Sequence, residues 1–311
     1  MNAFSIAGLD RQVTQLIMGT DYFKPDIQEK VNELLDSYVG IGGNTLDTGH
    51  LYGGGRSERS IGNWMAARGN REDIVILTKG AHHDSNGPRV NKACIEQDLT
   101  ESLERLQTDY IDLYALHRDD PSVPVGPIME ALNAHIDAGR IRAIGGSNWT
   151  HERLQEANDY AASHGLVGFS FSSPNLSLAK AKEPFWAGCV SADEETLRWH
   201  QSTQLPLLSW SSQARGFFTG RFTRDNLENE DLVRVFYSDA NWARYDRAER
   251  MAREKGLTTI QIALAYVLNQ PFPSAALIGP QNQQEMDSCK EGASVTLTQE
   301  ELDWLDLSAE A

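Results

Sequence analysis

An acid, a phenol, an amine and an imidazole close or follow consecutive short apolar runs. Asp47 is the penultimate residue of NTLDT, Tyr52 lies just beyond it in TGHLYGGG, Lys79 ends DIVILTK and His117 ends YIDLYALH. A free phenol titrates near about 10, too high for an efficient proton donor at neutral pH, but a neighbouring ammonium stabilises the phenolate and pulls that value down. Lys79 can supply the charge, Asp47 can keep Lys79 protonated and in place, and His117 can orient a substrate oxygen beside the phenol. Such a set donates a proton to an oxygen, and it contains no serine or cysteine nucleophile. Taken singly, each residue also has an ordinary structural role: a packing tyrosine, an interior Lys79–Asp47 pair, a core histidine. Their arrival together on consecutive strand ends is what argues for chemistry.

Convergence of that kind requires a scaffold whose strand ends meet. Eight apolar runs rich in β-branched residues are spaced along the chain, at 14–20, 44–48, 73–79, 110–117, 141–147, 167–173, 206–212 and 274–280. Their lack of alternation suits strands covered on both faces, as in a parallel sheet wrapped by helices. Stretches of helical period lie between them, among them CIEQDLTESLERLQT, where Ile95, Leu99, Leu103 and Leu106 share a face. Gly139 and Gly165 are placed to close two of these helices. Eight βα units in 311 residues predict a closed (β/α)8 TIM barrel, with active-site groups on the rim at the C-terminal ends of the strands. Two segments exceed the minimal repeat, 179–192 after strand six and 217–257 after strand seven, and are expected to cover that rim. No linker of Pro, Gly or Ser divides the chain, so 1–311 reads as one domain.

The segments LDTGHLYGGG, LTKG and ALHRDD resemble the catalytic signatures of the aldo-keto reductase family, and the resemblance runs through essentially the whole chain, including the opening GLDRQVTQLIMGT. It implies an oxidoreductase that interconverts a carbonyl (aldehyde, ketone or sugar) and its alcohol with a nicotinamide hydride. Tyr52 would be the general acid, Lys79 and Asp47 its tuning pair, and His117 the residue that orients the carbonyl. For the cofactor the resemblance points to Gly19, Thr20 and Asp47. It also implies Ser147 and Asn148 in IGGSNWT as partners of the carboxamide, with N-capping of the following helix as their competing role. Ser173 stands where the family usually has a glutamine. Trp210 in SWSSQARGFFTG would stack on the nicotinamide, with Ser211, Gln213 and Arg215 near the phosphates. Gly279, Gln281, Glu285 and Cys289 would lie at the adenosine end. Glu285 is an anion where NADPH-preferring members carry cations, which tilts the expectation between NAD(H) and NADP(H) towards NADH, with Lys290 and Arg221 as the opposing charges. No GxGxxG fingerprint follows a strand, so a Rossmann site is not expected.

For the substrate, Asp21, Tyr52, His117 and Arg118 are the candidate contacts. Phe23, His82, His83, Trp149, Trp186, Phe236, Tyr237 and Trp242 are further rim residues, a mixed lining that suits a polyol, sugar or other oxygenated compound. A net charge of −16 disfavours nucleic acid and anionic membranes as partners. No run approaches the roughly 20 apolar residues of a membrane span, and the start lacks a signal-peptide pattern, so a cytoplasmic protein with a small-molecule substrate is expected. The sequence sets no oligomeric state. Cys94, Cys189 and Cys289 are far apart and without a CxxC pair, which indicates neither disulfides nor zinc. Two other functions remain open at this level. One is a non-catalytic barrel that senses nicotinamide. The other is a metal-dependent barrel isomerase or hydrolase using His82, His83 and nearby acids, although adjacent loop histidines need not converge on an ion.

Overall fold

The computed structural model describes residues 1–309. A two-stranded antiparallel hairpin comes first, β1 (Ala3–Phe4) with β2 (Val13–Thr14). Eight parallel strands then close into a barrel: β3 (Leu16–Gly19), β4 (Thr45–Asp47), β5 (Val75–Gly80), β6 (Ile111–Leu116), β7 (Ile141–Ser147), β8 (Phe171–Ser173), β9 (Leu207–Ser209) and β10 (Ser274–Ile278). Each strand pairs with the next, and β10 returns to β3 through Ala276–Leu16 and Ile278–Met18. All eight expected runs are strands and together form the expected TIM barrel, although several are shorter than their apolar runs. The hairpin was not foreseen.

Helices alternate with the strands: α1 (Gln28–Gly40), α2 (Arg56–Arg68), α3 (Lys92–Leu106), α4 (Val125–Asp137), α5 (His151–Ser163) and α6 (Glu194–Thr203). After β9 come α7 (Glu230–Phe236), α8 (Asp239–Lys255) and α9 (Thr259–Leu268), and after β10 come α10 (Gln283–Gly292) and α11 (Gln299–Leu305). The segment 217–257 is therefore largely helical, with α7 and α8 where the sequence suggested a long cover. Gly139 and Gly165 adopt left-handed φ of 72° and 68° just past α4 and α5, as expected of helix-closing glycines. Ile95, Leu99 and Leu106 are fully buried, with Leu103 packed at the edge of the same core.

The period-two alternation of a strand divides the core in two. Ile17, Val75, Leu77, Leu113, Ala115, Ala143, Phe171, Leu208 and Ala275 fill the barrel interior, closed from below by Ile6 and Val13 of the hairpin segment. The alternate residues, such as Leu16, Leu46, Ile76, Tyr114 and Ile144, pack against the helices. Phe171 fits inside because β7 offers Gly145, where an added Cβ would lie 2.5 Å from the Phe171 ring.

Continuing each inward file by one step reaches the rim. Ile17 leads to Gly19, Val75 and Leu77 to Lys79, Leu113 and Ala115 to His117, Ala143 and Gly145 to Ser147, and Phe171 to Ser173. Thr45 likewise leads to Asp47 and Leu208 to Trp210. The barrel thus aims one residue of each of these strands at a common mouth. Among the described residues no helix is long and apolar enough to cross a membrane.

Candidate active site

The segment between β4 and α2 places Tyr52. Its glycines Gly53, Gly54 and Gly55 have φ of 59°, 66° and 83°, a left-handed run that side chains with a Cβ adopt only at a cost. Their tight turn carries Tyr52 back over the barrel, and Tyr52 N–H donates to the Gly49 carbonyl at 2.9 Å. Gly49 keeps the space between the two rings clear, since its Cβ would lie 3.5 Å from Tyr52 and 3.6 Å from His117. The loop is tied to β5 by Thr48 N–H to Leu77 O at 2.8 Å and His50 N–H to Lys79 O at 2.9 Å.

Lys79 is 1% exposed and donates to Asp47 Oδ1 at 2.5 Å, to Thr48 O at 2.8 Å and to the Tyr52 hydroxyl at 3.2 Å. Three acceptors thus hold its ammonium under the phenol. Burial alone would push the Lys79 ammonium down, but Asp47 and then Tyr52 outweigh it and hold the group above the usual lysine range. Burial pushes the Asp47 carboxyl up to about 6 against the opposing pull of Lys79. The Tyr52 phenol behaves differently from the sequence expectation. Lys79 does draw it down, but enclosure in the mouth is the larger effect and raises it to about 12.

His117 faces Tyr52 edge-on, with ring centroids 5.6 Å apart. Burial, then the charges of Lys79, His82 and Arg118, push its imidazole well below the usual histidine range, so it is neutral at pH 7. His82, which was placed only on the rim, packs edge-on against His117 at 4.8 Å. The four candidate catalytic residues therefore do meet, and the arrangement offers an oxygen atom a phenolic O–H backed by an ammonium and flanked by a neutral imidazole.

Six buried side-chain polar atoms among the described residues lack a hydrogen-bond partner, and three of them stand at this rim: His117 Nδ1, Ser173 Oγ and Trp210 Nε1. A buried polar atom left unpaired costs about 1–3 kcal/mol, which a bound polar group would recover. Next to Trp210, Ser211, Ala214, Arg215 and Gly216 have φ of 49°, 48°, 51° and 87°. Two N–H groups of this turn are used within it, Ala214 to Ser211 O at 2.8 Å and Gly216 to Gln213 O at 3.1 Å. The unpaired polar atoms beside an indole suit a nicotinamide ring and its carboxamide, so this rim fits the group.

The other expected cofactor residues divide. The helix cap that competed for Ser147 and Asn148 is made by Thr150, whose side chain accepts from Arg153 N–H. Asn148 is nevertheless engaged. Its amide donates to His117 O at 3.3 Å and Ser147 Oγ at 3.1 Å, and its Oδ1 accepts from Val190 N–H at 3.1 Å. The Thr20 hydroxyl donates to the Asp47 carbonyl at 2.8 Å and braces the β4 end. Gly19 approaches β10, where a Cβ would lie 3.1 Å from Ile278 O. Where the sequence led one to expect the adenosine, Gly279 and Gln281 are exposed, and Glu285 Oε2 accepts from Gln281 N–H at 2.9 Å. Arg221 reaches Glu285 at 3.9 Å. Cys289 lies on the buried face of α10, and that burial, then Glu285, pushes its thiol up to about 12.

Among the rim residues, Asp21 and His83 are exposed, whereas Phe23, Trp149, Phe236 and Trp242 are buried core residues. Phe236, Tyr237 and Trp242 form an aromatic cluster with Phe217 that anchors α7 and α8. Asn175, which the sequence did not single out, holds Trp210 through its amide to Trp210 O at 2.9 Å, and its own N–H and C=O bind Val190 and Ala192. An Asn two residues past a strand is a side chain suited to such backbone bonding, the one signal that could have marked it.

The Aldo/keto reductase family model matches residues 15–310. The chain is 28% identical over 289 residues to aldo-keto reductase YhdN of Bacillus subtilis (strain 168), covering 88% of this chain and 80% of that protein. It is 29% identical over 322 residues to norsolorinic acid reductase stcV of Emericella nidulans, covering 96% and 78%. In fold it is similar to the glycerol dehydrogenase AKR11B4 from Gluconobacter oxydans, with a TM-score of 0.79 and 23% identity over 98% of this chain and 94% of that one. Its matched signatures, closed barrel and rim chemistry agree that the chain belongs to the aldo/keto reductase family of carbonyl–alcohol oxidoreductases.

Proposed function

We propose that this chain reduces an aldehyde or ketone to its alcohol, or runs the reverse reaction, with Tyr52 as the general acid. The observation that carries the reading is the placement of one ammonium, Lys79, between Asp47 at 2.5 Å and the Tyr52 hydroxyl at 3.2 Å. A nicotinamide dinucleotide, when bound, supplies the hydride.

Every other task falls to the chain. Tyr52 holds a proton at its phenolic oxygen and releases it to the substrate oxygen as negative charge builds there. Lys79 stabilises the phenolate left behind, and Asp47 keeps Lys79 charged and fixed. His117, neutral, directs the substrate oxygen towards Tyr52. Ser173, Trp210, Ser147 and Asn148 would hold the nicotinamide end, with Ser211, Gln213 and Arg215 at the phosphates and Gly279, Gln281, Glu285 and Cys289 around the adenosine.

We take the preferred dinucleotide to be NADH. Glu285 lies in the first turn of α10, where it already occupies the Gln281 N–H. A fixed carboxylate there repels a 2′-phosphate and can accept from a free 2′-hydroxyl. Fluorescence titration with NADH and NADPH, followed by a carbonyl panel with the tighter one, tests the whole reading. Turnover with NADH that is lost in Tyr52→Phe supports it. Turnover that survives Tyr52→Phe contradicts the general-acid role, and tighter binding of NADPH contradicts the nucleotide preference.

A further inference from the structure

Arg118 is only 8% exposed, yet among the described residues it has no carboxylate partner. The two acids that follow it in sequence are committed elsewhere. Asp119 pairs with Arg153 at 3.1 Å, and Asp120 Oδ1 accepts from the backbone and hydroxyl of Ser122 at 3.1 and 2.7 Å. A buried guanidinium without an anion is costly unless something else compensates it.

What Arg118 does touch is uneven. Nη1 donates to the backbone carbonyl of His117 at 2.8 Å, a good bond that fixes the guanidinium at the end of β6. The opposite edge, formed by Nε and Nη2, is the edge that grips a planar carboxylate with two parallel bonds. It meets only Ala187 O at 3.4 Å and the thiol of Cys189 at 3.3 Å. A long contact and a weakly accepting sulfur leave that edge poorly served. Gly188, left-handed with φ of 72°, lets the loop between β8 and α6 lie against the stem, its Cβ position 3.3 Å from Arg118 Cδ.

The largest charge effects on His117 come from Lys79, His82, Arg118 and His83. Lys79 is already paired with Asp47 at 2.5 Å, and burial holds the His82 imidazole below its usual range, so Arg118 is the strong cation among them that lacks a counter-ion. An uncompensated cation in a chain of net charge −16 marks where negative charge can be received.

We propose that Arg118 is a specificity residue, and that the substrate is a carbonyl compound bearing an anionic oxyacid group, carboxylate or phosphate, held on the Nε–Nη2 edge while the carbonyl lies between His117 and Tyr52. The inference rests on the oxidoreductase reading above for its reacting carbonyl, but not for the anion site itself.

Matched pairs test it: 4-carboxybenzaldehyde against its methyl ester, and glyceraldehyde 3-phosphate against glyceraldehyde, each with the wild type, Arg118→Gln and Arg118→Lys. At least one anionic member should exceed its neutral partner by about tenfold or more in kcat/KM, mostly through KM, and the pair that does so identifies the group. Arg118→Gln should bring that ratio close to one, and Arg118→Lys should keep part of it. Equal rates within both pairs in the wild type, or a ratio unchanged by Arg118→Gln, overturn the proposal. Tryptophan fluorescence titrated with benzoate, inorganic phosphate and benzyl alcohol reads the site without turnover. Saturable quenching by an anion that Arg118→Gln abolishes, in a protein that turns over no carbonyl, retains the anion site and discards the oxidoreductase reading. No anion-selective quenching discards the anion site.

Discussion

Lys79 and Tyr52 are set 3.2 Å apart, ammonium to phenolic oxygen, in a pocket that works against the ionisation that the ammonium promotes. Burial raises the phenol to about 12, and Lys79 offsets only part of that rise. The phenol therefore enters the reaction fully protonated, and the nearby ammonium becomes most valuable as the proton leaves. An interaction that strengthens as charge develops accelerates the step rather than the binding that precedes it.

Breaking the buried pair should cost stability unequally. Asp47→Asn leaves Lys79 charged and uncompensated, so a loss of about 3 kcal/mol is expected in chemical denaturation. Lys79→Met should cost less, because Asp47, already raised to about 6, can take up a proton instead. A larger loss for Lys79→Met than for Asp47→Asn would contradict this account of the pair.

Reductive activity should fall as pH drops below about 6, where Asp47 becomes protonated and Lys79 loses its counter-ion. On the alkaline side Tyr52 keeps its proton well beyond pH 9 or so. His117 stays neutral and adds no inflection near its ordinary value of about 6.5. Profiles of kcat/KM for the wild type and Asp47→Asn check this: the acidic limb should disappear in the variant, and a limb shared by both would assign it to another group.

Ser173→Ala removes a buried hydroxyl that has no partner in the protein. Thermal stability without nucleotide should be unchanged or slightly higher. Nicotinamide affinity should fall about three- to tenfold, the worth of one hydrogen bond. Calorimetric titration of both proteins decides, and unchanged affinity would show that Ser173 does not contact the nucleotide.

His200 offers a stability test away from the mouth. It shares a hydrogen bond with Ser172 Oγ at 2.9 Å and another with Leu205 O at 2.7 Å, and burial depresses its imidazole to about 4. Between pH 6.5 and 4 the unfolded chain binds this proton and the folded one does not, so stability present above 6.5 is lost as pH falls, by about 3 kcal/mol in all. His200→Gln should make the acidic limb of the stability curve shallower, leaving the parts due to His117, His82, His135 and the carboxyls held below their usual range. An identical slope would place the acid sensitivity elsewhere.

The sequence revealed the barrel because its strands are buried on both faces, so their apolar runs are continuous and their ends carry Asp47, Lys79 and His117 without interruption. It gave little sign of α2, whose buried face mixes Ser57, Glu58, Ser60 and Gly62 with a short apolar stripe of Ile61, Trp64 and Met65. Glu58 is fully buried there because Thr78 donates to it at 2.7 Å and Arg105 lies 3.3 Å away, partners that come from other elements. Helix α8 was hidden by its narrow apolar face, with only Trp242, Ala248, Met251 and Ala252 among its buried residues besides Asn241. At the site, the catalytic types and their spacing were legible. The engagement of Asn148, the bracing by Asn175 and the uncompensated charge of Arg118 were not, since each depends on the loop between β8 and α6 folding back onto the ends of β6 and β7.

The most direct test of the central claim is the single-turnover rate of carbonyl reduction by wild type and Tyr52→Phe, with nucleotide affinity measured on the same samples. Loss of about 100- to 10,000-fold in the rate, with affinity essentially unchanged, is the predicted result. A Tyr52→Phe rate within a few fold of wild type would contradict proton donation by Tyr52 and, with it, the role given to the Lys79–Asp47 pair.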